Sequence, residues 1–296
     1  MAQSPPPIFD RALQRRRLAR AVAAGAADFL LAWTVEELCE RLATVKRRFS
    51  MIADVGTSLP QLAQALSASD KEALVIRLAP VAATLGAAPV LALVGDEETL
   101  PFRPESFDLA VSALALHQVN DLPGALIQIR RSLRPDGLFL AAMLGGRSLE
   151  ELRQALAMAE SEITGGISPR VAPFADVRDM GGLLQRAGFA LPVADCEALT
   201  VRYANFFALA VDLRAMGATN ALVERAQRPA KRQIFLRAAE IYTERFGDPD
   251  GRVRATFEII FLSGWAPHES QQKPLPPGSA KMRLADALKT KDIPPE

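Results

Sequence analysis

The chain has 296 residues, of which 49 % are hydrophobic and 23 % are charged, a composition that excludes disorder throughout. Thirty-five Lys and Arg against thirty-four Asp and Glu give a formal charge of +1, so no overall bias favours nucleic acid or an anionic membrane as a partner. Cys39 and Cys196 stand far apart and predict neither a disulfide framework nor a zinc site.

The N-terminal residues lack the apolar stretch behind a basic start that a secretory signal requires. The longest apolar run, residues 21–35, contains Gly25 and Asp28 and is too short and too polar to span a bilayer. We therefore expect a cytoplasmic protein without an integral membrane segment.

Two helices are predicted ahead of residue 49. The first covers residues 9–24 and carries three arginines at 15–17, which either contact phosphate or an acidic partner or lie on a solvated face. The second covers residues 29–42. Thr34 followed by Glu37 predicts a capping box that starts the regular part of this second helix.

From residue 49 onwards, short apolar runs alternate with helical stretches. This alternation predicts parallel strands that are buried on both faces and joined by right-handed crossovers. The fold class is therefore α/β, with a doubly wound, mostly parallel sheet of seven strands. The predicted strands are 51–55, 73–78, 90–94, 107–112, 138–144, 193–201 and 253–262, and the predicted helices are 59–66, 80–85, 123–133, 148–163, 176–187, 206–216 and 231–246.

Three parts of the chain are expected. Residues 1–48 form a tail and the two N-terminal helices, and residues 49–268 form the α/β domain. Residues 269–296, rich in Pro and Lys, form a loose tail in which residues 282–288 could form a short helix.

The residues after the first strand are the first candidates for a site, because ligands of an open parallel sheet bind beyond the carboxyl ends of its strands. Glycines in this loop would let the backbone approach a nucleotide closely. Only Gly56 is present, and Ser58 and Pro60 stand where further glycines would fall. The loop alone is a weak signal for nucleotide binding.

The next two strand ends carry charged residues. An acid at the end of the second strand would bind ribose hydroxyls, but Arg77 stands there and has only donors. Arg77 either pairs with a phosphate or carboxylate ligand, or packs over the strand end against Asp54 or Glu72. After the third strand, Asp96 either accepts a hydrogen bond from an exocyclic amine or belongs to a surface acidic loop.

His117 follows the fourth strand and is expected to face the same cleft. A lone histidine there is either structural or catalytic, and no second ligand lies at metal spacing from it. The sequence contains neither a Gly-x-Ser-x-Gly elbow nor the lysine motif of a phosphate loop. These absences argue against an ordinary serine hydrolase and against a phosphate-loop nucleotidase.

Several motifs in register resemble those of class I S-adenosylmethionine-dependent methyltransferases, namely residues 95–102, 106–112, 116–117 and 133–139. Over residues 8–268 the chain is similar to one subgroup of them. This subgroup includes the mitochondrial complex I assembly factor described as a methyltransferase-like arginine hydroxylase, and its bacterial relatives. The matching segments are 8–11, 114–125, 141–146, 204–205 and 264–267. The malonyl-carrier-protein methyltransferase of biotin synthesis is a more distant resemblance.

The resemblance implies a Rossmann-like methyltransferase domain with a helical lid at about 148–187 and 206–246, and S-adenosylmethionine as its cofactor. The acceptor would be a protein or a small molecule, with a respiratory complex subunit among the candidates. The cofactor-binding positions carried over from the family are Asp54, Gly56, Thr57, Arg77, Asp96, Glu97 and Ser112. Asp96 would contact the adenine amine, and His117 would be the candidate base.

Arg77 departs from the family pattern, because it stands where the ribose-binding acid should be. Losing a charged hydrogen bond to the ribose should weaken cofactor binding by about tenfold or more, or change the ligand. Three functions therefore stay open. They are a methyltransferase, a non-catalytic assembly or binding protein that has lost the cofactor, and an arginine hydroxylase, which would need an oxidant or metal whose ligands the sequence does not reveal.

Overall fold

The computed structural model describes residues 6–85 and 90–272. Its sheet contains β1 (Met51–Val55), β2 (Leu74–Ala79), β3 (Leu91–Val94), β4 (Phe107–Ala113), β5 (Leu133–Leu144), β6 (Ala190–Tyr203) and β7 (Val253–Trp265). The strand order is β3-β2-β1-β4-β5-β7-β6. The pairs from β3 to β5 are parallel, whereas β7 is antiparallel to both of its neighbours. The predicted mostly parallel sheet of seven strands is confirmed.

Helices cover both faces of this sheet. They are α1 (Arg11–Ala23), α2 (Phe29–Ala43), α3 (Gln61–Ser69), α4 (Leu122–Ser132), α5 (Glu150–Thr164), α6 (Val177–Arg186), α7 (Phe206–Ala215) and α8 (Arg232–Phe246). Side chains of α2, α3, α5, α7 and α8 share one buried cluster, and those of α4 and α6 share another.

Strand β5 explains why the strands read as continuous apolar runs. Leu138 and Leu140 belong to the first cluster, whereas Phe139 and Ala141 belong to the second. Successive side chains of a strand point to opposite faces, so a strand with a helical layer on each face needs apolar residues at nearly every position.

The strand order creates the crevice in which a ligand is expected. The chain leaves β1 towards β2 on one side, and later returns to β4 on the other side of β1. The crossovers on either side of β1 therefore diverge, which opens a crevice at the carboxyl ends of β1 and β4. The loops that follow β1, β2, β3 and β4 border this crevice.

The start of the second N-terminal helix tests the capping prediction. α2 begins at Phe29 rather than at the predicted capping box, and Thr34 lies inside it. The hydroxyl of Thr34 is buried and donates to the carbonyl of Leu30. The prediction was wrong because burial of Leu30 and Leu31 continues the helix upstream of Thr34.

The predicted C-terminal helix at 282–288 lies outside the described residues. Over the part of the chain that the structure covers, no helix has the length and apolar character needed to cross a membrane.

Candidate functional site

The loop after β1 makes a close turn against the loop after β3. Gly56 has a φ of +77°, a conformation that favours glycine, and its N–H donates to the carbonyl of Leu78 at 2.9 Å. A Cβ added to Gly56 would lie 2.5 Å from Cγ of Glu97. The structure therefore brings Gly56 and Glu97, two of the residues predicted from the sequence, to the same mouth of the sheet.

Thr57 and Ser112 join the β1 loop to β4. The hydroxyl of Ser112 donates to the carbonyl of Val55 at 2.7 Å, and the N–H of Ala113 donates to Oγ1 of Thr57 at 3.1 Å. Both side chains are fully buried. In this structure Thr57 and Ser112 fix the shape of the crevice, and their predicted contact with a cofactor stays a prediction.

Arg77 lies inside the protein beside Asp54, and both side chains are completely buried. Nε of Arg77 is 3.6 Å from Oδ2 of Asp54. Of the alternatives that the sequence left open, the structure shows the pairing of Arg77 with Asp54. Burial raises the pKa of Asp54 to about 7, against the opposing effects of Thr57 and Arg77.

The guanidinium of Arg77 also binds the loops around it. It donates to the carbonyls of Thr57 at 2.8 Å and Ser58 at 3.1 Å, and to the carbonyl of Thr84. Because these donors are used by the backbone, Arg77 holds the loop after β1 in place. It offers no acceptor to a ribose hydroxyl.

Three consecutive acids after β3, here called the acidic triplet, are Asp96, Glu97 and Glu98. Arg11 of α1 contacts all three, with 3.2 Å from Nη2 to Oδ1 of Asp96, 3.7 Å from Nε to Oε1 of Glu98, and a hydrogen bond to Glu97. Arg15, one turn further along α1, approaches Oδ2 of Asp96 at 2.5 Å. The sequence predicted that residues 15–17 contact phosphate or an acidic partner or lie on a solvated face; the structure instead pairs Arg15 with an acid of its own chain.

The pKa values of Asp96 and Glu97 are shifted in opposite directions. Burial opposes the ionised form of Asp96, but the N–H of Glu98 and the guanidinium groups of Arg15 and Arg11 outweigh it and lower its pKa. For Glu97, burial outweighs the attraction of Arg11 and raises the pKa. Glu97 is therefore harder to ionise than an exposed glutamate, and Arg11 favours its ionised form.

The segment before α1 is tied down across the crevice. Asn120 lies in the loop between β4 and α4. Its Oδ1 accepts hydrogen bonds from the N–H groups of Ile8 and Phe9, both at 2.8 Å. The N–H of Asp10 donates to the carbonyl of Ala221 at 2.8 Å. These contacts place Arg11 over the acidic triplet.

The helices of the predicted lid lie mainly on the faces of the sheet. α5 contacts α8 and β7, and α6 contacts β6 and β7. The loop between α7 and α8 does reach the N-terminal segment, through Ala221 and through a β-bridge from Leu222 to Phe9. A lid over residues 148–187 and 206–246 stays a prediction.

His117 is buried in a short 3₁₀ turn after β4. Its ring packs edge-on against Phe174, with centroids 5.8 Å apart. Among the described residues Nδ1 has no hydrogen-bond partner, and Nε2 lies 3.2 Å from Nε2 of Gln118. Burial lowers the pKa of His117 to about 3, which makes it a neutral and weakly basic imidazole. Its role as a base stays a prediction.

Replacing His117 with glutamine is expected to make the protein less sensitive to acid. The folded pKa of about 3 lies below the unfolded value of about 6.5, so the unfolded chain takes up a proton that the folded chain does not. Stability from neutral His117 is present above pH 6.5 and is lost as the pH falls towards 3, by about 1.4 kcal/mol per pH unit. Urea unfolding at pH 7.5 and 5.5 should show a smaller pH-dependent loss in the variant; identical losses would contradict the burial of a neutral ring.

The residues at the mouth of the sheet fit the adenine of an S-adenosyl ligand better than its ribose. Asp96 supplies acceptor oxygens suited to an adenine amine, and the turn at Gly56 lets a ligand approach the backbone. The space beside Gly56 is held by the side chain of Glu97 and, through it, by Arg11. Arg77, which stands where the ribose-binding acid is expected, has no hydrogen-bond acceptor for the ribose hydroxyls. The adenosyl group therefore fits only if Arg11 moves away from Glu97, so that the carboxylate of Glu97 can face the ligand.

Metal ligands are not grouped in this part of the molecule. Over residues 6–85 and 90–272, no group of three or more His, Cys, Asp and Glu side chains is arranged to hold a metal ion.

Comparison with known proteins supports the reading of the fold. A family described as "Methyltransferase domain" matches residues 40–141. The protein named arginine-hydroxylase NDUFAF5, mitochondrial, is 37 % identical in Danio rerio over 289 residues, covering 95 % of this chain and 90 % of that one. In Homo sapiens the identity is 38 % over 295 residues, covering 97 % and 85 %.

Other relatives are more distant. The malonyl-(acyl-carrier protein) O-methyltransferase of Xylella fastidiosa is 33 % identical over 270 residues, covering 88 % of this chain and 89 % of that one. Among solved structures, a protein from Bacillus halodurans aligns with a TM-score of 0.55 at 18 % identity, covering 79 % of this chain and 99 % of its own. The YcgJ protein from Bacillus subtilis aligns with a TM-score of 0.53 at 16 % identity and the same two coverages.

Proposed function

The chain belongs to the family of the arginine-hydroxylase NDUFAF5 proteins, and from this premise we propose that it binds an S-adenosyl ligand in the crevice between β1 and β4. The ligand enters when Arg11 leaves the acidic triplet. The observation that carries the proposal is the contact of Glu97 with the turn at Gly56, which places a carboxylate directly beside the loop that approaches the ligand.

Glu97 replaces the ribose-binding acid that is missing from β2. A carboxylate accepts hydrogen bonds from a diol, whereas the guanidinium of Arg77 cannot. With Arg11 withdrawn, Glu97 keeps a position against Gly56 and has free acceptor oxygens. Asp96 accepts from the adenine amine, and Arg77 keeps the first loop in shape from behind.

When bound as S-adenosylmethionine, the ligand supplies an electrophilic methyl group. The chain would contribute orientation, by holding donor and acceptor together in a crevice from which water is excluded. His117 stays neutral and lines the β4 side of the crevice. It accepts or donates a hydrogen bond more readily than it stores a proton, because its pKa lies far below neutrality.

The acceptor is proposed to be a protein. One relative, the malonyl-(acyl-carrier protein) O-methyltransferase of Xylella fastidiosa, carries a name that refers to a protein-borne acceptor. A respiratory complex subunit fits this class.

A second function is favoured by Arg77 and Arg11. With an arginine in place of the ribose acid and another arginine paired to the triplet, the crevice is complete without a ligand. On this view the protein is a non-catalytic assembly or binding factor that retains the methyltransferase fold.

Calorimetric titration with S-adenosylhomocysteine separates the two functions. The contribution of Glu97 is measured in the Arg11→Ala background, where Glu97 has lost its partner in the free chain. Adding Glu97→Gln to that background should weaken binding by about 30-fold, the contribution of one charge-assisted hydrogen bond. Adding Glu224→Gln, an exposed acid far along the chain, should change nothing. Absence of heat at millimolar ligand in both wild type and Arg11→Ala would leave the binding-factor function standing.

A further inference from the structure

A second concavity lies beside α1, away from the acidic triplet. It has a volume of about 170 Å³ and is bordered by α1, the segment around residue 169 and the loop before α8. Four of its lining side chains are arginines, namely Arg17, Arg170, Arg225 and Arg228, and no Asp or Glu is among the described residues that line it. We call it the arginine cavity.

Arg17 is held in the arginine cavity by backbone carbonyls rather than by a paired carboxylate. Its guanidinium donates to the carbonyls of Thr219, at 2.8 Å, and Asn220. Within the described parts of the chain, Arg17 forms no ion pair. Burial and the nearby charge of Arg225 lower its pKa, against the opposing effect of Asp10. An anion in the cavity would reduce the repulsion between Arg17 and Arg225.

Arg225 and Arg170 are positioned by carboxylates that lie outside the cavity. Nη2 of Arg225 is 3.3 Å from Oδ2 of Asp10, and Nη2 of Arg170 is 2.6 Å from Oε1 of Glu160. Each guanidinium is thereby fixed by one edge while part of it lines the cavity. Two carboxylates serve four arginines, so the cavity keeps an excess of positive charge.

Arg228 completes the set from the loop before α8. It is exposed and, over residues 6–85 and 90–272, has no ion-pair partner. An exposed arginine beside three fixed ones can contact a small ligand at low cost, because the other three are already oriented.

We propose that the arginine cavity is a binding site for a phosphate-type oxyanion, either free or as the terminal group of an ester. Guanidinium groups bind phosphate oxygens in bidentate fashion, and several of them together favour phosphate over a single carboxylate. A water molecule takes about 30 Å³ of liquid volume, so the cavity has room for a phosphate group and some solvent. This site is separate from the crevice and does not rest on the S-adenosyl proposal.

The test is calorimetric titration of the full chain with inorganic phosphate and, separately, methyl phosphate, at ionic strength held constant with sodium chloride. One phosphate should bind per chain. Arg17→Gln should weaken binding by about 30-fold, since it removes one charge-assisted hydrogen-bonding group. Binding of methyl phosphate as well would identify an ester as the ligand, whereas binding of inorganic phosphate alone would identify the free ion.

Two further variants keep the test decisive. Arg228→Gln removes an exposed side chain that forms no hydrogen bond or ion pair with the described residues, so the variant should keep the fold and should also bind phosphate more weakly. Arg186→Gln, an exposed arginine on α6, is the matched control and should bind as wild type does. Absence of heat up to about 10 mM phosphate, or equal affinities in the two cavity variants and the control, would overturn the proposal.

Discussion

Replacing Arg77 with methionine is expected to lower the free energy of unfolding by about 3–5 kcal/mol, the cost of leaving one member of a buried ion pair uncompensated. Arg77 and Asp54 are both fully buried and 3.6 Å apart. The substitution also removes the donors that hold the carbonyls of Thr57 and Ser58. Chemical denaturation of the two proteins at pH 8 measures the loss directly.

The matched control for Arg77→Met is Arg48→Met. Arg48 pairs with Glu72 at 3.7 Å, nearly the same separation, but both side chains are more than four-fifths exposed. An exposed pair contributes about 0–1 kcal/mol, so Arg48→Met should be close to neutral. Equal effects of the two substitutions would show that burial does not set the strength of the Arg77 pair.

The loss in Arg77→Met should grow with pH. The folded pKa of Asp54, raised to about 7, lies above its unfolded value, so the stability contributed by protonated Asp54 is lost as the pH rises through 7. Without Arg77 the folded pKa rises further, and the loss continues at higher pH. Adding Asp54→Asn to Arg77→Met should abolish this pH dependence. A loss that is constant from pH 6 to 9 would mean that Asp54 does not carry it.

Replacing Arg11 with alanine is expected to tighten the binding of S-adenosylhomocysteine by about 30-fold. Arg11 contacts three carboxylates in the free chain, and a ligand that needs Glu97 must first break them. A charge-assisted hydrogen bond contributes about 2 kcal/mol, close to 30-fold in affinity. Removing the competing state raises the fraction of molecules that can bind.

Arg16→Ala is the control for Arg11→Ala. Arg16 is exposed on the same helix, so its loss changes the charge of α1 without freeing the acidic triplet. Titration calorimetry of both variants should give a tighter complex for Arg11→Ala only. If both variants bind as wild type does, Arg11 does not compete with the ligand.

Much of the fold follows from local pattern. The run 51–55 was predicted as a strand and is β1 without a residue of difference, because a short apolar run between polar residues leaves few alternatives. β5 was predicted from 138 but begins at Leu133, which pairs with Phe107 across an irregular register. That pairing depends on a residue in another strand and leaves no local signal.

The residues of the candidate site also divide into those that local pattern predicts and those that depend on distant parts of the chain. Gly56 and Asp96 were predicted from strand ends, and the topology of a parallel sheet brings such ends together. The contact of Arg11 with the acidic triplet joins residues 85 or more positions apart. The sequence marked residues 15–17 as groups that could contact phosphate or an acidic partner, but it did not mark Arg11. The pairing of Arg77 was one of several alternatives, and only the burial of both partners decides it.

A structure of the chain with S-adenosylhomocysteine tests the central claim most directly. We expect the adenosyl group between Gly56 and Asp96, the carboxylate of Glu97 on the ribose hydroxyls, and the guanidinium of Arg11 withdrawn from the triplet. A ligand bound elsewhere, or one bound while Arg11 still contacts Glu97, would contradict the account.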